Sequence, residues 1–259
     1  MQREVVEPVE AAVAELAEEV VATTAVPLNG VRADVRSRET NLGNLVADSL
    51  LAAGQAGATA EGITPPVVAV QNGGGIRNDS VLPAGPLTAL DTYDVLPFAN
   101  FVAVAPELPI ETFVAVVERG LSGPDPEDGE PTAGTGVEDD VLQPAGQFIQ
   151  AAGYRVEYDA SADRGSRVVA LVLDDGTEIV AGGQLVADPA STISLASIDF
   201  SLRGGDGYPF DEVDFTVLPV TYQQALETYL TDGLGGTVPD SGPYVADPQT
   251  RIIEVDPGA

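Results

Sequence analysis

The 259-residue sequence predicts a single domain of mixed α and β structure. Segments with apolar residues at helical spacing alternate along the chain with short, continuous apolar runs of strand type. Hydrophobic residues make up 44% of the chain alongside 28 Gly and 20 Pro. That is the balance of a globular, loop-rich fold and not of a disordered one. No internal repeat or linker divides the chain, so one domain over residues 1–259 is the simplest organisation.

In chain order, residues 4–22 predict a helix, with Val9, Val13, Leu16 and Val20 three and four apart and Glu on the opposite side. Residues 27–35 read as a connection or short strand. Thr40 or Asn41 offers a cap for a second helix carrying Leu42, Leu45, Val46 and Leu50 on one face, ending near Gly54. Residues 66–70, PVVAV, form an apolar run fit for a strand buried on both faces. Residues 87–104 contain a turn and a strand, and 110–121 a third helix with Phe113, Val116 and Val117 inward. Residues 147–149 begin a short helical or extended element. Residues 154–158 and 167–173 alternate as strands, and Asp174-Asp175-Gly176-Thr177 is a hairpin turn before 178–180. Residues 192–198 make a further strand, 221–232 a last helix and 251–255 a closing strand. Between Ser122 and Leu142 lie seven acidic residues with no apolar period, which read as a solvated surface insertion. A calcium loop is the sharper alternative there, but the D-x-[DN]-x-[DN]-G ladder is missing.

The composition excludes much chemistry. The formal net charge is −30, every cation is one of eleven Arg, and there is no Lys, His, Cys or Trp. Without His or Cys, a zinc site of the nitrogen or sulfur type has no ligands. Ser-His, Cys-His and lysine Schiff-base catalysis are excluded as well, leaving Asp, Glu or Tyr for proton transfer. A body of this charge repels nucleic-acid backbones and anionic membranes, so neither is an expected partner. The acids are spread along the chain, which fits a solvated surface in a salt-rich setting. No stretch is long and apolar enough for a membrane span. The N-terminal segment is acidic and amphipathic, unlike a signal peptide, so if the protein is exported its signal is expected to have been cut off or to lie upstream.

Four constellations can carry binding chemistry. Asn72-Gly73-Gly74-Gly75-Ile76-Arg77 follows a buried strand; glycines let the backbone approach a ligand, and Arg77 adds a fixed cation for phosphate. Taken alone, a Gly-rich turn is more often just a turn. Arg36-Ser37-Arg38 stands at a helix start; extended backbone would put both Arg on one face, beside the positive helix end. Taken alone, they read slightly more readily as partners of surplus surface carboxylates. Phe200 with Gly204-Gly205-Asp206-Gly207-Tyr208 combines an aromatic plate and a carboxylate near tight backbone, which suits a nucleoside. Phe98 follows a proline-fixed turn, and either Phe taken singly reads more readily as core.

Five stretches then occur in one order: RETNLGNLVADSLL at 38–51, QNGGGIR at 71–77, DVLPFANFV at 94–102, GQFIQAAGYRVEYD at 146–159 and DFSLRGGDGY at 199–208. Together they resemble the C-terminal domain of the 5′-nucleotidase family, which includes ecto-5′-nucleotidases and periplasmic UDP-sugar hydrolases. The likeness runs from about residue 5 to 255. It implies a layered, mixed-sheet α+β domain that binds nucleotide or nucleoside and orients the phosphoester. Hydrolysis would be the work of a separate N-terminal metallophosphoesterase domain holding two divalent metal ions. Carried over by position, Phe98 and Phe200 sandwich the base, and Asp206 accepts from the ribose hydroxyls. Asn72, Gly74, Arg38 and Arg77 contact ribose and phosphate. The chain itself is expected to hold no cofactor and, alone, to be inactive. It is expected to be part of a longer extracellular, periplasmic or cell-surface protein; a non-catalytic ligand-binding or structural module of the same fold is the alternative. Three features depart from the pattern: the metal domain is not in this sequence, which without His cannot assemble the dimetal centre; the acidic insertion is long; and Arg203 stands where a small or polar residue is usual.

Overall fold

A computed structural model describes residues 7–125, 137–138 and 141–255. Its centre is a five-stranded mixed sheet in the order Thr216–Thr221, Phe101–Pro109, Thr192–Ile198, Val68–Asn72, Ile149–Ala152. Strand Val68–Asn72 runs parallel to Thr192–Ile198, and the other pairings are antiparallel. Strand period explains how one sheet serves two cores. Val68, Val70, Ala103, Ala105 and Leu195 point to one side, while Ala69, Val102, Val104 and Ala196 point to the other.

The first core is closed by helix Ile110–Gly120, through Phe113, Val116 and Val117, and by a second five-stranded sheet that contributes Tyr154, Val156 and Leu171. The second is closed by the long helix Asn41–Glu61, through Leu42, Leu45, Val46 and Leu50, and by Tyr222 and Leu226 of helix Tyr222–Thr228. A three-stranded sheet, Thr237–Val238, Val20–Thr24 and Gly85–Thr88, flanks that layer. This is the layered α+β arrangement expected, with sheet faces buried on both sides.

Several boundaries differ from expectation for identifiable reasons. The first helix stops at Glu18, because the β-branched run from Val20 forms a strand beside Gly85–Thr88. Its Val9 and Val13 stay 56% and 43% exposed, so the helical spacing there marks no core face. Thr40 caps the long helix by accepting from the Gly43 N–H at 3.0 Å. The helix runs through Gly54 to a left-handed Gly62. Gly54 is a packing position, since a Cβ there would lie 2.8 Å from the Ala196 Cβ. Three short helices, Arg32–Val35, Ala89–Val95 and Asp199–Leu202, are additional to those the spacing predicts; Ala89–Val95 is started by a capping box between Thr88 and Asp91. The acidic residues expected in the insertion lie largely outside the described residues. Among the described residues no helix is long and apolar enough to cross a membrane.

Candidate nucleotide-binding site

At one end of the central sheet a cavity of about 520 Å³ is lined by Arg36, Asn72, Gly74, Gly75, Arg77, Phe98, Asn100, Gly146, Phe200 and Asp206. Its floor grows out of strand Val68–Asn72, every residue of which is buried. The Gly73–Gly75 turn follows at once and packs tightly, Gly74 N–H donating to the Gly146 carbonyl at 2.7 Å. Only glycine fits at 73, because a Cβ would stand 2.1 Å from the Val35 carbonyl oxygen. That contact draws the Arg32–Val35 turn against the Gly loop.

The approach brings Arg36 into the cavity. Buried Gln150 pins the turn, its amide donating to the Val35 and Arg38 carbonyls at 3.1 and 2.8 Å. Ala145 N–H donates to the Arg36 carbonyl at 2.9 Å. The Arg36 Nε is buried and has no hydrogen-bond partner. Burial, then the charges of Arg32 and Arg77, push the guanidinium below its ordinary pKa. Of the described arginines, Arg32, Arg36 and Arg77 have no carboxylate within ion-pair distance, although carboxylates outnumber cations almost fourfold in the sequence.

Arg38 is the correction. It forms ion pairs with Asp34 at 3.0 Å and Asp247 at 2.7 Å and does not line the cavity. The condition for both arginines to share a face, extended backbone over 36–38, is not met, for a local reason. The segment leaves a helical turn, where residues two apart differ by roughly 200° and residues four apart share a face. Arg36 therefore sides with Arg32, and Arg38 with the surface acids.

At the end of the floor strand, Asn72 donates from its amide to Asp206 Oδ2 at 2.6 Å, while its Oδ1 accepts from Gln71 at 2.8 Å. Asp206 holds a left-handed backbone, φ 56°, ψ 18°, uncommon for a residue with a Cβ. The two aromatics expected near a base are 46% (Phe98) and 42% (Phe200) exposed, so neither ring belongs to a core. Phe200 sits over Gly205, where a Cβ would fall 2.5 Å from the ring. Phe98 is fixed through its N–H, which donates to the Tyr222 hydroxyl at 3.0 Å. Burial pushes that hydroxyl up to about 12, so it stays protonated. The Arg77 guanidinium lies over the Phe98 ring, 5.6 Å from its centroid.

Of the seven sequence candidates, the structure brings Asn72, Gly74, Arg77, Phe98, Phe200 and Asp206 to one cavity and leaves Arg38 outside. Sequence reading noted Arg36 without choosing it, and missed Gly146 and the supporting Tyr222. A four-residue spacing from Arg32 to Arg36 was the available signal. Arg203 stands apart, paired with Asp199 at 3.6 Å and stacked 5.3 Å from the Phe215 centroid. Among the described residues no three acidic side chains cluster so as to hold a metal ion.

Residues 20–212 match the family described as 5'-nucleotidase, C-terminal domain. The chain is 31% identical over 190 residues to the trifunctional nucleotide phosphoesterase protein YfkN of Bacillus subtilis (strain 168), an alignment covering 73% of this chain and 11% of that protein. Among solved structures, a 5'-nucleotidase precursor from Thermus thermophilus superposes with a TM-score of 0.72 at 28% identity, over 98% of this chain and 43% of that one. The NAD nucleotidase NadN of Haemophilus influenzae shares the fold, with a TM-score of 0.64 at 14% identity over 97% and 41% of the two chains. The chain thus spans a small part of its curated relative and under half of each of these solved chains.

Proposed function

Since the chain belongs to the 5′-nucleotidase C-terminal domain family, we propose that it is the substrate-binding part of a nucleotide phosphohydrolase. The observation that carries this reading is the pairing state of Arg36 and Arg77. In a protein at −30, two arginines without a carboxylate partner face one cavity that also exposes two phenyl rings. Bidentate guanidinium donors suit a phosphate, exposed rings suit a base, and Asp206 suits ribose hydroxyls. Gly74, Asn72 and the Gly146 backbone supply the close approach between them.

The role of this chain is positioning and charge neutralisation at the phosphoester. Its residues do not fit the dimetal group of the family's N-terminal domain, since it has no His and no carboxylate cluster among the described residues. Activation of water belongs to that other domain, which we place upstream in a protein acting outside the cytoplasm. The upstream coding sequence checks this: Asp-x-His and Gly-Asn-His metal motifs behind a secretory signal are expected. A coding sequence that opens directly at Met1 would contradict it.

Ligand titration tests the binding reading. AMP and adenosine are expected to shift NMR signals of the Gly73–Gly75 and Gly204–Gly207 loops. Phe200→Ala should weaken both by about 1–3 kcal/mol, the worth of one base–aromatic stack. Equal affinity in wild type and variant would return Phe200 to a role in the loop alone.

A further inference from the structure

Asp206 holds a left-handed backbone, a conformation that Asp adopts more readily than most residues with a Cβ but still seldom. Arg119, in the last turn of helix Ile110–Gly120, meets it from behind. The Arg119 Nε and Nη2 donate to the Asp206 carbonyl at 2.9 and 2.8 Å. The guanidinium is aimed by Asp125, whose two carboxylate oxygens accept from Nη1 and Nη2 at 2.7 and 2.5 Å. Glycine at 207 makes the room, because a Cβ there would lie 2.9 Å from Arg119 Nη2.

The neighbours of this link are tied to the same wall of the cavity. Arg164 donates to Asp125 Oδ1 at 3.4 Å and to the Pro124 carbonyl. Gln147 donates from its amide to the Gly123 carbonyl at 2.6 Å, and its own backbone carbonyl accepts from the buried Tyr208 hydroxyl. Residues 122–125, the first part of the segment expected as a solvated insertion, are instead buried or half-buried and joined to the loop that carries Asp206. Hydrogen bonding to Arg119 holds the Asp125 carboxyl below its ordinary pKa. The pair is therefore charged on both sides near neutral pH.

We infer that Arg119, aimed by Asp125, is a positioning residue that orients Asp206 for recognition of ribose hydroxyls. The inference rests on the proposed role of Asp206 as the hydroxyl acceptor. Two N–H donors on one carbonyl fix the peptide plane after Asp206, and with it the direction of the Asp206 side chain toward Asn72 and the cavity. Without them the loop has other conformations available, and the carboxylate loses the geometry a vicinal diol requires. Neither residue is among the side chains that line the cavity, so the effect must pass through Asp206.

The experiment compares AMP with 2′,3′-dideoxy-AMP on the intact chain, in wild type, Asp206→Asn, Arg119→Met and Asp125→Asn. Wild type is expected to prefer AMP by about tenfold, and Asp206→Asn to lose that preference. Arg119→Met should lower AMP affinity five- to tenfold while leaving the dideoxy compound within twofold. Asp125→Asn, on a partly exposed carboxylate, should lie between the two. If Asp206→Asn removes the preference and both other variants keep it, the positioning role is overturned and the ribose reading stands. Loss of affinity for both ligands alike in Arg119→Met and Asp125→Asn also overturns it, marking the link as support for the whole cavity. If wild type shows no preference, the ribose reading of Asp206 fails and takes the inference with it.

Discussion

Arg36→Ala is expected to weaken AMP binding by about 1.5–3 kcal/mol, roughly ten- to hundredfold, and adenosine binding by no more than about twofold. The magnitude is that of a charge-assisted hydrogen bond removed from a partly desolvated site. Arg36 should matter more than Arg77. Its Nε is buried without a partner, whereas Arg77 is exposed and already stacked on Phe98. Arg77→Ala is therefore expected to cost less for AMP and to weaken adenosine slightly, through the loosened ring.

Salt gives an independent signature. The repulsion between AMP and a body at −30 is screened over about 8–10 Å at ordinary ionic strength, while contacts inside the cavity are screened far less. AMP affinity should accordingly hold or improve as salt rises, against the fall that basic phosphate-binding proteins show. Calorimetry of both nucleotide and nucleoside at low and high salt measures all of this. Equal losses for AMP and adenosine in Arg36→Ala would mean that the residue supports the Gly loop and does not grip phosphate.

The second large effect is on stability. Glu39 is only 3% exposed, and its carboxylate gathers five donors. They are the Asn44 amide at 2.6 Å, the backbone N–H groups of Thr250, Arg251 and Ile252 at 2.9, 2.8 and 3.0 Å, and the Thr250 hydroxyl at 3.0 Å. One side chain thus fastens the strand Ile252–Glu254 to the start of the long helix. Arg251, paired with Asp48 at 2.8 Å, adds a second tie between the same elements. Glu39→Ala leaves one buried and two partly buried backbone donors without an acceptor, and a loss of about 3–5 kcal/mol is expected. Glu39→Gln keeps one acceptor oxygen and should lose less. Urea unfolding of the three proteins provides the comparison. A change under about 1 kcal/mol for Glu39→Ala would show that water replaces the carboxylate and that the latch is not structural.

Glu39 also illustrates how far a motif read as a string can mislead. It lies within the RSRETN segment that draws attention for its cations, yet its own task is to hold the chain's end in place. Nothing in its neighbours' identities announces the three N–H groups of residues 250–252, which are more than two hundred positions away.

What the sequence determined by itself is substantial. The spacing of Leu42, Leu45, Val46 and Leu50 and a cap at Thr40 or Asn41 place the long helix within one residue of its observed start. The apolar run before Gln71 identifies the buried strand under the site. The order of five motifs is enough to indicate the family, and the absence of His, Cys and Lys excludes most catalytic chemistry without any coordinates. These properties depend on local period, local capping and composition, all of which are written along the chain.

Tertiary structure alone decided three matters. It separated Arg36 from Arg38, because a single helical turn rotates neighbours to opposite sides where extended backbone would align them. It showed Phe98 and Phe200 to be exposed in one cavity, a matter of burial that periodicity cannot settle for an isolated aromatic. And it joined Arg119 and Asp125 to Asp206 across more than eighty residues. Long-range contacts of that kind arise from sheet order and crossover, in which residues distant in sequence become neighbours only after the layers have packed.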